Sequence, residues 1–369
     1  MNTDTTGNKG EWSEPYVLLK LLADGVLPQG NADLSLLDVE PYKVIGANRE
    51  EKSDGGTVIK SYAIKDDVVS VFTDGEHSGD VAITDLASNA RNLFSEIINA
   101  QGSSFTVSEE ACDYLSSVSC CKIKADARDK VDIIVKIHDS STGTEPNLGF
   151  SIKSQLGAAS TLINASKDNT NFRYRLTGHV NSELAKTINA ISPRQGKIQE
   201  RIAALAQRGI FLEFDRVLGD VYNNNLLLLD SDLSKILSEC LTRYYSGRGA
   251  VFLDIVQSLD VKNPLNYPRG KWPYYSFKLK KFLVESALGM MPAKTWSGIY
   301  DATGGYIVVK SDGEIVSYHL IRKNLFEDYL LANVKLDTPS SGRHKFGEVY
   351  YDENGQAFFN LNLQVRFLH

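Results

Sequence analysis

Apolar and polar positions recur along this chain with two periods, and the period separates helix from strand. Gly10–Leu22 reads as a helix. Ser13 is placed to cap it and Pro15 suits its first turn, a start nearer Gly10 fits equally, and Gly25 ends it. Short alternating strands follow at Tyr42–Ala47, Val58–Ile64 and Val68–Phe72. Ile83, Leu86, Ala90, Leu93, Phe94, Ile97 and Ile98 then recur at helical spacing and predict a helix over 84–100, with a shorter one near Glu109–Leu115. The β-branched run Val131–His138 predicts a strand. Ser140–Asn147 has turn chemistry, and Gly149–Ser154 predicts a second strand, ended by Gly157, so the pair reads as an antiparallel hairpin. Helices are expected at 182–191 and 194–208, separated by Pro193, and at 232–245. Asp312-Gly313 between Gly305–Lys310 and Ile315–His319 signals another hairpin. A helix at 324–332 and a hairpin of Lys345–Tyr351 with Ala357–Leu368 complete the pattern, which is that of an α/β protein.

The 369 residues, 42% hydrophobic and 23% charged, are ordinary globular usage and exclude a disordered or fibrous chain. No repeat and no apolar run of the roughly 18 residues needed for a membrane helix occurs. Met1–Gly10 is polar with no apolar signal core, so a cytoplasmic protein without membrane partners is expected. Cys112, Cys120, Cys121 and Cys240 have no zinc spacing and read as reduced thiols. The net charge of −6 is unevenly spread: residues 1–100 hold 17 acids and 8 bases, and the remainder 29 acids and 32 bases. Because a local patch decides nucleic-acid contact, the whole-chain charge excludes little.

The central hairpin carries the chemistry. Strand alternation puts Ser151, Lys153 and Gln155 on one polar face, with Phe150 and Ile152 on the other. Asp132 opens the partner strand, so a carboxylate and an ammonium can meet. Phosphodiester hydrolysis uses such a pair: a carboxylate holds Mg²⁺, and a lysine orients or deprotonates water and offsets developing charge. From spacing alone, a structural Asp–Lys ion pair accounts for the same residues. His138 and His319 lie on strands and receive no catalytic role.

Several stretches resemble one family. Gly7–Gly25, with Asn8-Lys9-Gly10-Glu11-Trp12-Ser13-Glu14-Pro15-Tyr16 at its heart, is similar to the opening of HpaII-type restriction endonucleases. So are Gly149–Gly157, Ser160–Ser166, Thr170-Asn171-Phe172 and Asn360–Phe367, which together span both ends and the middle of the chain. The resemblance implies a PD-(D/E)xK nuclease core, a mixed central sheet flanked by helices, with a β-rich C-terminal DNA-recognition region. The expected division is a catalytic core over 1–260 and a recognition region over 261–369, packed as one unit. Asp132 matches the first acid of the motif and Lys153 its lysine, while Ser151 stands where the second acid usually is. Serine replaces a charged Mg²⁺ ligand poorly, so Glu14 is taken as the second metal-site acid, with Glu11 as fallback and Glu145 as a weaker rival. Without the resemblance, Glu11 and Glu14 are simply acids at a helix start, where the dipole favours them. Gln155 is a candidate for holding water or phosphate.

DNA recognition needs other residues. Lys262–Lys281 has six bases, no acid and five aromatics, suits phosphate contacts, and offers Lys271, Lys278 and Lys280. Thr338–Lys345 reads as a polar loop, with Ser340, Arg343 and His344 as candidates and Arg343 fitted to guanine. Both segments also read as plain surface loops. The resemblance implies a Mg²⁺-dependent type II restriction endonuclease acting on double-stranded DNA at CCGG and leaving 5′-phosphate ends. A homodimer suits a palindrome, and a cognate DNA methyltransferase is the implied genetic partner. A structure-specific repair nuclease, or a DNA-binding protein with a decayed site, are the other readings; Ser151 is the feature that favours decay.

Overall fold

Asn8 caps helix α1 (Lys9–Asp24): its side chain accepts from the Glu11 amide, and the Glu11 carboxylate accepts from the Asn8 amide at 2.9 Å. The computed structural model describes residues 6–53, 56–123, 130–140 and 142–368. The cap is therefore Asn8, not Ser13, because only Asn8 has an acid three residues on to close the box. Ser13 is buried inside the helix and donates to the Lys9 carbonyl, and Pro15 lies in the second turn. Gly25, at φ 64°, ends the helix as expected.

After β1 (Val26–Leu27), strands β2 (Tyr42–Ser53), β3 (Gly56–Lys65), β4 (Val68–Thr73) and β5 (Glu76–Ala82) form an antiparallel meander. The sequence pattern misses β5, which is polar and largely exposed. Its signal is Asp74-Gly75, both at positive φ, a two-residue hairpin turn. Helices α2 (Ile83–Asn99) and α3 (Glu109–Ser117) follow. Strands β6 (Ile133–His138) and β7 (Asn147–Ser154) make the expected antiparallel hairpin.

From Thr161 the chain builds a second unit: β8 (Thr161–Ile163), β9 (Asn171–Leu176), α4 (Ser182–Ala190), α5 (Lys197–Ala206), β10 (Leu212–Val217), α6 (Asp220–Leu229), α7 (Leu233–Tyr245), α8 (Phe252–Lys262) and α9 (Tyr274–Leu288). The basic-aromatic stretch is thus not all loop, since from Tyr274 it is helix with Tyr275, Leu279 and Phe282 buried. The chain then returns to the first unit with the expected hairpin β11 (Gly305–Val309) and β12 (Ile315–Tyr318), followed by α10 (Lys323–Asn333). It finishes in the second with β13 (Val334–Leu336), α11 (Ser341–His344), β14 (Val349–Tyr351), β15 (Ala357–Asn362) and β16 (Val365–Phe367).

Among the described residues, nine strands form one mixed sheet in the order β12-β11-β7-β6-β2-β3-β4-β5, with β1 on β2; β11 and β7 run parallel. Helix α1 packs against β7, β2 and α2, and its Trp12, Val17, Leu18 and Leu21 join Val44, Val135, Phe150 and Ile307 in one apolar core. In the other unit β10-β9-β15-β14 and β13-β16-β8 form two smaller sheets. The expected final hairpin is only β14 with β15; after Leu363-Gln364 the chain switches sheets, and β16 pairs β13 and β8.

The two units are discontinuous in sequence. One holds the described residues up to Ser160 with Tyr300–Tyr329; the other holds Thr161–Ile299 with Leu330–Leu368. This division differs from the expected boundary after residue 260, because β11 pairs β7 while β15 and β16 pair β9 and β8. The C-terminal strands are therefore shared between both units.

Candidate active site

The β6–β7 hairpin brings Asp132, Ser151 and Lys153 together. Ile133, Val135 and Ile137 bury one face of β6, and the Asp132 amide extends the pairing by donating to the Phe150 carbonyl at 2.9 Å. Asp132 Oδ2 accepts from Ser151 Oγ at 3.1 Å and from the Ile152 amide at 2.7 Å. Lys153 Nζ donates to the same Ser151 Oγ at 2.8 Å. Among the described residues both of these hydrogen bonds to the Asp132 carboxylate fall on Oδ2.

Two neighbours complete the lysine's surroundings. Tyr306 on β11 is in register with Ser151, and its ring centroid lies 4.9 Å from Lys153 Nζ, a cation–π contact. Glu14 on α1 is 7% exposed, and α1 is tied to β7 at this level by a 2.7 Å bond from Ser13 Oγ to Ser154 Oγ. Burial pushes the Lys153 ammonium below the usual lysine range, and the charges of Asp132 and Glu14 oppose that shift. Lys130 is pushed down to about 8, by burial first and then by the charge of Lys153.

Behind Glu14 is a buried polar cluster that sequence reasoning missed. Arg49, 2% exposed, approaches Glu14 Oε2 at 3.5 Å and Glu51 Oε1 at 3.7 Å, and donates to Cys120 Sγ at 2.8 Å and to the Lys122 and Ile123 carbonyls. Burial lifts the Cys120 thiol to about 11, so it stays protonated; all four cysteines are free, as expected. Arg49 and Tyr306 come from elements far from the motif in sequence. The only local signal was an arginine inside an alternating strand.

The remaining candidates divide. Glu11 closes the α1 capping box. Glu145 pairs with Lys136 at 3.2 Å and His138 at 3.7 Å, at the turn end of the hairpin and about 20 Å along β6 from Asp132. Gln155 follows β7, its amide bonded to the Val309 carbonyl and its side chain half-buried. Lys271 is exposed on the loop before α9, and Lys280 is half-buried on that helix. Lys278 is engaged within the chain, 2.7 Å from both Asp230 oxygens and 3.6 Å from Asp232, and over the Tyr267 ring. The expected loop at 338–345 contains the helical turn α11, which Ser340 caps by accepting from the Arg343 amide; Arg343 is exposed and His344 half-buried. His319 is 5% exposed and accepts from the Ile321 amide through Nδ1, a structural role.

Among the described residues no three His, Cys, Asp or Glu side chains converge as a metal cage. Asp132 and Glu14 offer carboxylate oxygens, the donor type a hard divalent cation takes one or two of while keeping its waters. A mixed α/β scaffold presenting a carboxylate, a hydroxyl and a partly desolvated lysine on one hairpin is equipped for phosphodiester hydrolysis. The chain matches the HpaII restriction endonuclease family over residues 8–367. It is 41% identical over 365 residues to the type II restriction enzyme HpaII of Haemophilus parainfluenzae, covering 98% of this chain and 99% of that protein. The chain belongs to the HpaII restriction endonuclease family. No solved structure matches it. No helix among the described residues is long and apolar enough to cross a membrane.

Proposed function

We propose that this protein is a type II restriction endonuclease that hydrolyses double-stranded DNA at CCGG with Mg²⁺, leaving 5′-phosphate and 3′-hydroxyl ends. The observation that carries the reading is the hydrogen-bonded run Asp132–Ser151–Lys153 on one hairpin, with Glu14 near enough for its charge to act on the lysine. In this reading the hairpin is the core of a PD-(D/E)xK nuclease whose second acid has moved from position 151 to Glu14 on α1. Asp132 and Glu14 would hold the cation, which when bound polarises the scissile phosphate and acidifies a water. Lys153 orients that water and balances charge growing on the phosphate; its lowered pKa makes it a better proton acceptor than a solvated lysine. Ser151 fixes the rotamers of both Asp132 and Lys153 by donating to one and accepting from the other.

Substrate binding is assigned to the second unit. Residues 161–299 and 330–368 contain 23 Lys+Arg and 16 Asp+Glu, whereas the rest of the chain contains 17 and 30. A basic surface attracts the duplex backbone, and an acidic catalytic unit suppresses cutting of DNA that is not held elsewhere. Cutting both strands of a palindrome is served by a homodimer in the cytoplasm, with a cognate methyltransferase protecting the host's own sites.

Digestion of a fully sequenced plasmid with Mg²⁺ and with EDTA, with the ends mapped by sequencing, tests this. Metal-dependent fragments all ending at CCGG are expected. Cuts at branches or mismatches without a shared sequence would replace the reading with a structure-specific nuclease. Site-specific binding with no cutting in Mg²⁺ would replace it with a decayed site, the alternative that Ser151 favours.

A further inference from the structure

In the unit built from Thr161–Ile299 and Leu330–Leu368, a cavity of about 660 Å³ opens between the segment before α5, the end of α7 and the segment leading into α11. Its polar walls are Arg194, Gln195, Lys197, Gln199, Tyr244 and Thr338, with no acid among the lining residues. Arg194, Gln195 and Gln199 are exposed.

The bases here differ from four others in the same unit. Arg173 pairs with Asp215, Arg175 with Glu213, Lys278 with Asp230 and Arg366 with Asp337. Among the described residues no carboxylate lies within ion-pair distance of Arg194 or Lys197. The cavity is also shaped. Tyr244 and Thr338 share a 2.8 Å hydrogen bond between their hydroxyls. The Gln199 amide lies against Gly247, where φ is 76° and an added Cβ would come within 2.4 Å of Nε2. Gln199 is thus seated over a glycine whose replacement would displace it.

Two cations with no carboxylate partner among the described residues, beside two primary amides and no acid, complement a polyanion that also displays donors and acceptors. A small anion would need only the cations. The basic surface also continues beyond the cavity, because the segment supplying Thr338 goes on to Arg343 and Lys345, both exposed and neither paired with a carboxylate among the described residues. We propose that this cavity belongs to the surface that reads duplex DNA, with Arg194 and Lys197 on backbone phosphates and Gln199 on a base edge. The proposal rests on the reading of the protein as a DNA endonuclease and adds residues to it that the family resemblance did not supply.

The test is equilibrium binding of the full chain, in Ca²⁺ to prevent cutting, to short duplexes with and without the site mapped for the parent enzyme, over a range of salt. For the double variant Arg194→Ala, Lys197→Ala, binding to both duplexes should weaken about 10–100-fold, and the slope of log K against log salt should flatten by about 2. Gln199→Ala should leave the slope alone and cut the preference between duplexes by about tenfold. Melting temperatures equal to the parent's establish that the variants are folded. A parent that binds the duplexes, with variants of equal affinity, slope and preference, overturns the cavity assignment and leaves the nuclease reading standing. A parent that neither binds nor cuts DNA overturns both.

Discussion

The ammonium of Lys153 donates to the hydroxyl of Ser151 at 2.8 Å, two residues back on the same strand face. A carboxylate at position 151 would neutralise that lysine directly. The serine cannot, so the balancing charges come from Asp132 and Glu14. The hydroxyl also donates to Asp132 Oδ2, so the carboxylate and the ammonium are linked through one oxygen. The serine at this position therefore changes how the lysine is held.

Lys153→Ala should lower the cleavage rate by about 10²–10⁴-fold while leaving duplex affinity within a few-fold of the parent. Single-turnover cleavage beside binding in Ca²⁺ separates the two effects. A variant that cuts at near the parent rate would show that the chemistry lies elsewhere.

Ser151→Ala removes one hydrogen bond from Asp132 and one from Lys153, leaving the Ile152 amide to hold the carboxylate. A kcat loss of about 5–150-fold with unchanged KM is expected, because the two orienting bonds together contribute about 1–3 kcal/mol. An unchanged kcat would mean that the serine is dispensable to the geometry.

Arg49→Met leaves Glu14 and Glu51 buried without their cation. Breaking a buried ion group in this way costs about 3–5 kcal/mol. Urea unfolding should show a loss of that size. A change below about 1 kcal/mol would indicate that water reaches the cluster and screens it.

Burial lowers the His319 pKa from 6.5 to about 4, against the opposing charge of Asp139. The unfolded chain therefore takes up this proton first as pH falls. The neutral histidine's contribution is complete above about 6.5, is lost as the pH drops towards 4, and amounts to roughly 3 kcal/mol. His319→Asn keeps an acceptor for the Ile321 amide and removes the titration. The parent should lose more stability than the variant between pH 7 and pH 5, measured by urea midpoints; equal losses would remove His319 as the cause.

Local pattern made much of the first unit readable. The β6–β7 hairpin, the α2 stripe and the β11–β12 turn each follow from the residues within a dozen positions, so Asp132 and Lys153 could be brought together from sequence. What local pattern could not supply was pairing across long separations. Tyr306 meets Lys153 through a parallel strand about 150 residues downstream, and Lys278 meets Asp230 across 48 residues. The cap of α1 was misread because Ser13, a good cap by type, has better use as a buried hydroxyl bonded to Ser154. The C-terminal strands read as one recognition region because their alternation is real. Which sheet each joins depends on β7, β8 and β9, far upstream.

The excursion of the chain between Ser160 and Tyr300 has a consequence for how the protein is made. On the ribosome, β7 emerges with only β6 as a paired strand, and its other edge stays open until β11 has been translated. At about 5–20 residues per second, that interval is about 8–30 s. Throughout it the lysine-bearing strand lacks the Tyr306 ring and is an exposed template for wrong pairing. The nascent polypeptide thus carries the Asp132–Lys153 hairpin without its Tyr306 neighbour until β11 has followed it.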